Sequence, residues 1–152
     1  GCVDSFVARD ELERFCRRYL IPYIDIGMDV HGGSNGFAIS GQVILSLPNQ
    51  PCMRCLGYLT DERLAAEQKR YGAAGGKPQV VWPNGVLASI AVGQLMSLLL
   101  AWQDKLSPSI MIEYDGNRQI TNASSKLGVL AQRPCQHFPA SAILGDPFFM
   151  SP

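Results

Sequence analysis

Apolar residues recur at two different periods along this chain, and the changes of period divide it into elements. In "GCVDSFVARDELERFCRRYL" the opening Cys2-Val3 reads as the end of a strand and Ser5 as the N-cap of a helix. Leu12, Phe15, Cys16 and Tyr19 then share one helical face, which predicts an apolar seam there. "IPYIDIGMDV" is an apolar, β-rich run that predicts a buried strand. "HGGSNG" reads as a loop, and "FAISGQVILSLP" as two short strands bent at Ser40-Gly41. A charged helix near Asp61 to Arg70 follows, then a loop, "YGAAGGKPQ". A long apolar helix begins around Asn84 to Val86 and ends near Trp102. "SIMIEYDGNRQITNAS" predicts a β-hairpin turning at Asp115-Gly116-Asn117, and the proline-rich remainder is irregular. Strand, helix and strand followed by hairpins make an α/β fold, a sheet with antiparallel additions.

Composition narrows what such a fold can do. The 152 residues are enough for one domain and carry a formal net charge of zero, with no Lys/Arg run, so a nucleic-acid or anionic-membrane surface is not indicated. The apolar run from Val86 to Trp102 includes Ser89, Gln94 and Ser97. It falls short of the roughly 20 clearly apolar residues of a membrane span, and reads as a buried helix or a subunit contact. Met28, Met96, Met111 and the aromatic side chains read as core filler. Charges at Asp4, Arg9 and Asp10 leave no room for a signal peptide. Cys2, Cys16, Cys52, Cys55 and Cys135 are too sparse for a disulfide framework and suit a reducing cytosol.

Few residues carry candidate chemistry. Asp4 falls just past a strand and just before a helix, the edge where open α/β sheets bind ligands. A carboxylate there either holds Mg²⁺ on nucleotide phosphates or serves only as a turn residue. Neither glycine cluster is a phosphate loop: "GGSNG" precedes a strand, and Lys77 of "GAAGGKP" is followed by proline. His31 and His137 have no positioned nucleophile beside them. "PCMRC" presents Cys52 and Cys55 at the spacing of a zinc knuckle, a redox pair or two inert thiols. The flanking Pro51 and Gly57 favour a knuckle over a helix N-terminus. The remaining zinc ligands would come from "RPCQHF", where Cys135 is followed by Phe138 at the position a second C-x-x-C would fill. His137 is the available fourth ligand, although Cys-x-His is an awkward bite.

Taken in order, these segments resemble the ThiF/MoeB/HesA family, bacterial relatives of ubiquitin-activating enzymes. "CVDSFVARDELERFC" is similar to that family's segment in which an Asp, a small polar residue and an Arg open a helix. "IPYIDIGM" resembles its "iP.i..G" strand, "GFAISGQVILSLPNQPCMRC" its hairpin leading to "pC..C", and "QVVWPNGVLASIAVGQLMSLLL" its apolar helix. The resemblance implies the C-terminal half of a Rossmann-like ubiquitin-activating-type domain, a mixed sheet with β-hairpins and a long apolar helix, with residues 1–152 as one partial domain. It implies an ATP- and Mg²⁺-dependent adenylyltransferase acting on the C-terminal glycine of a small ubiquitin-like or sulfur-carrier protein. Asp4 matches the family's magnesium/ATP aspartate. Arg9 matches an arginine near the cofactor that orients the loop or supports a partner subunit. Zn²⁺ at Cys52, Cys55, Cys135 and His137, a homodimer and a cytoplasmic location complete the expectation.

The chain departs from the family in several places. The glycine-rich nucleotide loop and the triphosphate-binding Arg and Lys, which lie before the aspartate in the family, are absent from it, so the chain should not adenylate alone. No cysteine stands in "QKRYGAAGGK", where relatives carry an acceptor thiol and this chain has Tyr71. Gln94 stands where relatives often have an acidic residue. The competing expectation is a non-catalytic protein-interaction module of α/β fold with inert thiols.

Overall fold

The structure, a computed structural model, describes residues 1–33, 36–69, 80–100, 110–127 and 135–138. Its elements run α1 (Phe6–Arg18), β1 (Tyr23–Gly33), β2 (Gly36–Ser46), α2 (Asp61–Lys69), α3 (Val81–Leu99), β3 (Met111–Asp115) and β4 (Ile120–Ala123). The fold is α/β, with the four strands in the order β1-β2-β3-β4 and every described ladder antiparallel. Among the described residues, parallel pairing is seen at the front of the chain. The Gly1 N–H donates to the Ile24 carbonyl, and the Ile26 N–H donates to the Gly1 carbonyl at 3.0 Å. Those two bonds straddle Asp25 in the pattern of parallel pairing, so the chain leaves β1's outer edge, crosses α1 and returns as β1.

Strand periodicity explains how both faces of the sheet are covered. Tyr23, Asp25 and Gly27 are buried on one face of β1, while Ile24, Ile26 and Met28 turn to the other. The first face packs Tyr23, Ile44, Met53, Leu56, Tyr58, Leu59 and Met111 under α1 and the loop after β2. The second packs Val43, Leu87 and Tyr114 beneath α3, with Ile24, Ile26, Met28, Ile90 and Ala91 around them. Covering on both sides accounts for the unbroken burial of Val43 to Ser46, which alternation would not produce. Gly41 lets α3 approach, since a Cβ there would stand 2.6 Å from Leu87 Cδ1 and 3.0 Å from the Gly27 carbonyl.

Several expectations need correction. β2 is one strand through Ser40-Gly41, because each residue from Gly36 to Ser46 has a partner on β1. β1 and β2 reach Gly33 and Gly36, leaving a two-residue connection in place of the longer loop. The apolar seam on α1 forms only in part: Leu12 and Cys16 pack against the core under α1, but they are not the helix's buried residues. Its buried positions are Arg9, Glu13 and Arg17, one above the other at i, i+4 and i+8, while Phe15 is 45% exposed. Nor is α3 a buried helix. Only Pro83, Leu87 and Gln94 are buried on it, and Val81, Trp82, Val92, Leu95, Met96 and Leu99 face outward, which also removes Met96 from the core. By length and composition α3 is apolar enough to cross a membrane.

Other expectations match. Ser5 caps α1, its Oγ accepting the Ala8 N–H at 3.2 Å. In the β3–β4 turn the Asp115 carboxylate accepts the N–H groups of Asn117 and Arg118 at 3.1 and 3.0 Å. The bounds of α3 differ: it starts at Val81, before the expected Asn84 to Val86, and ends at Leu99, where Leu100 is already extended, short of Trp102. The expected loop at 71–79, with Tyr71 and Lys77, lies outside the described residues.

Candidate metal centre

The loop after β2 turns tightly from Cys52 to Leu59. The Leu56 N–H donates to the Cys52 carbonyl at 2.9 Å, and the Gly57 N–H to the Arg54 carbonyl at 3.0 Å. Gly57 closes the turn at φ +67°, a left-handed conformation that suits glycine. This is a knuckle, with no helix N-terminus for either thiol to sit on. The Cys55 N–H points at Cys52 Sγ, 3.4 Å away.

Onto this knuckle the chain brings Cys135 and His137. Cys52, Cys55, Cys135 and His137 offer three sulfurs and one ring nitrogen that all lie within 4.8 Å of one another. Cys52 Sγ and Cys55 Sγ are 3.6 Å apart, and Cys55 Sγ and Cys135 Sγ 3.7 Å. His137 Nδ1 stands 3.4 Å from both Cys52 Sγ and Cys55 Sγ. A tetrahedral zinc with Zn–S of about 2.3 Å and Zn–N of about 2.05 Å requires edges of about 3.8 Å between sulfurs and about 3.5 Å from sulfur to nitrogen. The four measured edges agree with that tetrahedron. The Cys-x-His bite is met: Cys135 Sγ reaches Cys55 Sγ while His137 Nδ1 reaches both knuckle sulfurs.

The site's electrostatics suit a cation. Burial pushes the Cys52 thiol well above the usual range, assisted by the neighbouring Glu13 carboxylate and the other two sulfurs, and opposed only by the Cys55 N–H. Burial acts the same way on Cys135, but the N–H donors of Phe138 and His137 and the two neighbouring thiols outweigh it and lower the thiol's value. Cys52 and Cys135 are buried and His137 is exposed. The group can therefore hold a metal ion such as zinc, which takes thiolate and imidazole together. The sequence indicated the four residues as one candidate set, and the structure brings them together.

Asp4 and Arg9 are placed differently. Asp4 is exposed between the Gly1–Val3 edge segment and the Ser5 cap, and its carboxylate makes no hydrogen bond or ion pair with the described residues. Arg9 lies inside. Its guanidinium pairs with Asp25, donates to the Val3 carbonyl and to the Ile26 carbonyl at 3.0 Å, and lies 5.7 Å over the Tyr58 ring. It thus holds Val3, the residue preceding Asp4, against β1. The helix N-terminus beside Asp4 already carries an anion. Glu67 of α2 accepts from the Phe6 and Val7 N–H groups and the Ser5 hydroxyl, each at 3.0 Å. His31 is exposed and lies 3.2 Å from Asp29.

Sequence reasoning missed Asp25, Glu13 and Arg17, buried charges whose partners come from distant segments. The i, i+4, i+8 spacing of Arg9, Glu13 and Arg17 was the signal available. Compared with known proteins, the chain matches no family model, and no curated protein is significantly similar to it.

Proposed function

We propose that the chain is the metal-stapled C-terminal half of a Rossmann-like adenylation domain of the ThiF/MoeB/HesA type. Its reaction is ATP-dependent activation of the C-terminal glycine of a small ubiquitin-like or sulfur-carrier protein. The observation that carries this reading is the placement of Asp4. It is exposed at the carboxyl end of a segment paired in parallel with β1, where the crossover into α1 begins. Asp4 would hold Mg²⁺ there, and the ion would supply positive charge against the triphosphate and the departing pyrophosphate. The carrier's carboxylate attacks the α-phosphorus, the bond to pyrophosphate breaks, and an acyl-adenylate forms. Arg9 serves by fixing the Val3 carbonyl, and so the position of Asp4, without touching the nucleotide. At the Cys3His group we assign structural zinc. All four ligands come from the protein and leave no open position for catalysis. The free thiols suit a reducing cytosol.

The family's glycine-rich loop is not among these 152 residues, so turnover requires a polypeptide that supplies it. The test is ATP–pyrophosphate exchange with a carrier tail ending in glycine. It is measured for the 152-residue chain alone and for the natural polypeptide including any residues that precede Gly1. We expect no exchange from the chain alone, exchange from the whole polypeptide, and a loss of at least about 10²-fold in Asp4→Asn, as for other groups that stabilise developing charge. A whole polypeptide that does not exchange sinks the reading.

A second reading, a non-catalytic interaction module, is favoured by one observation: α3 turns an uncharged, apolar face outward. The same face supports a homodimer under either reading. Carrier-tail binding that ignores Mg-ATP in the whole polypeptide selects the second reading; binding strengthened by Mg-ATP selects the first.

A further inference from the structure

Burying a carboxylate and a guanidinium is costly unless each is fully bonded, and Glu13 and Arg17 are bonded mostly to one target. Glu13, fully buried, accepts the Met53 N–H through both oxygens, at 3.0 and 3.2 Å, and the Ser46 hydroxyl at 2.6 Å. Arg17 donates to the carbonyls of Gln50 and Pro51 at 3.0 and 3.1 Å and to Ser46 Oγ at 2.8 Å. On the next flank of α1, Asp10 accepts from Arg54 with both oxygens, at 3.0 and 3.1 Å. From Gln50 to Arg54, every residue except Cys52 is therefore bonded to α1 through its backbone or side chain. Arg17 also reaches the second pair of ligands, its guanidinium lying 5.1 Å over the ring of Phe138, next to His137.

We propose that Glu13 and Arg17 are positioning residues for the metal centre, so that metal binding and the order of α1 are coupled. The inference rests on the reading of the Cys3His group as a metal site. The six-residue stretch from Gln50 to Cys55 alone samples many backbone conformations, few of which aim both sulfurs at one point. Two buried charges that take its carbonyls and its N–H from the side select the metal-ready shape. Thermodynamic linkage makes the effect reciprocal: metal that favours that shape favours the helix gripping it, by the same factor. The helix begins one residue after the Ser5 cap and two after Asp4, so occupancy of the centre steadies the segment that presents Asp4.

The experiment titrates zinc into the full 152-residue chain against a chromophoric chelator, for wild type, Glu13→Gln, Arg17→Met and a packing control, Leu12→Ala. It also records amide hydrogen exchange over Phe6–Arg18 in the wild type with and without zinc. We expect one zinc per wild-type chain, affinity lowered about 10- to 100-fold in Glu13→Gln and Arg17→Met, as for other groups that orient metal ligands, and little changed in Leu12→Ala. Exchange in α1 should slow with zinc. Should the two polar variants fail to fold, the wild-type exchange measurement decides. Zinc binding by wild type with no protection of α1, or with affinity unchanged in the folded polar variants, overturns the coupling alone. No zinc bound by wild type overturns the metal reading and the coupling together.

Discussion

Glu67 performs at the start of α1 a task that α1 cannot perform for itself. The first turn of that helix holds no acidic residue, and the carboxylate that meets its N–H groups comes from α2. Partial burial works against the charged form of Glu67, but the N–H donors of Val7 and Phe6 and the Ser5 hydroxyl hold its carboxyl below the ordinary carboxylate range. A lowered value in the folded state means stabilisation that is complete above the unfolded pKa, about 4.3, and is lost as pH falls through the folded value. Glu67→Gln should cost about 0.5 kcal/mol at neutral pH, a capping contribution reduced by solvent screening. The difference from wild type should begin to shrink as pH falls below the unfolded value, about 4.3, and close as it passes the lower folded one. Urea denaturation at pH 7 and pH 3.5 checks both. Nothing in the local sequence shows this cap, because the partner lies 60 residues away. The Ser5 cap, local to its helix, was legible for the same reason that Glu67 was not.

At the scale of elements, α3 shows how far an apolar run can be read. Its existence and approximate bounds follow from composition, but hydropathy cannot say which faces find a partner. Val81, Gly85, Ala88, Val92, Leu95 and Leu99 follow one another at alternating steps of four and three, the spacing of a helix-pairing seam, and all are exposed. An antiparallel second copy centred on Ile90 would set Val81 opposite Leu99, Gly85 opposite Leu95 and Ala88 opposite Val92. Small residues in the first half then meet large ones in the second, a pattern that closes on itself under two-fold symmetry. Leu95→Glu should therefore shift a dimer toward monomer, raising the dissociation constant at least about tenfold, while leaving the fold intact because the side chain faces outward. Analytical ultracentrifugation measures the first effect and far-ultraviolet circular dichroism the second. α1 is the opposite case. Its apolar Leu12 and Cys16 do pack on the core, but the deepest places on the helix go to charges, because Asp25 on one side and the carbonyls of Gln50 and Pro51 on the other draw Arg9 and Arg17 inward. Charges are rarely buried without partners, and those partners are not local.

For the whole molecule, the metal group matters through the length of chain it closes. The two ligand pairs are 80 residues apart at their nearest, from Cys55 to Cys135, and α2, α3, β3 and β4 all lie between them. A clip closing a loop of that length restricts the unfolded chain by about 4 to 5 kcal/mol in the chain-entropy picture. Stripping the metal with a strong chelator should lower the melting temperature by on the order of 10 °C, and Cys135→Ser should reproduce most of that loss. Scanning calorimetry with and without zinc provides the check. The first ligand pair was visible in the sequence because C-x-x-C is local. Cys135 and His137 could be named as candidate partners, but Phe138 stood where a second cysteine was expected, and their convergence depends on a fold that spans the sheet. The clip has one more effect, on a cut chain. With metal bound, a protease that nicks any connection between Cys55 and Cys135 leaves two polypeptides that still migrate as one particle. The β2–β3 ladder and the shared core already join such pieces, and the ion adds a further link between them, so an intact native mass is no proof of an intact chain.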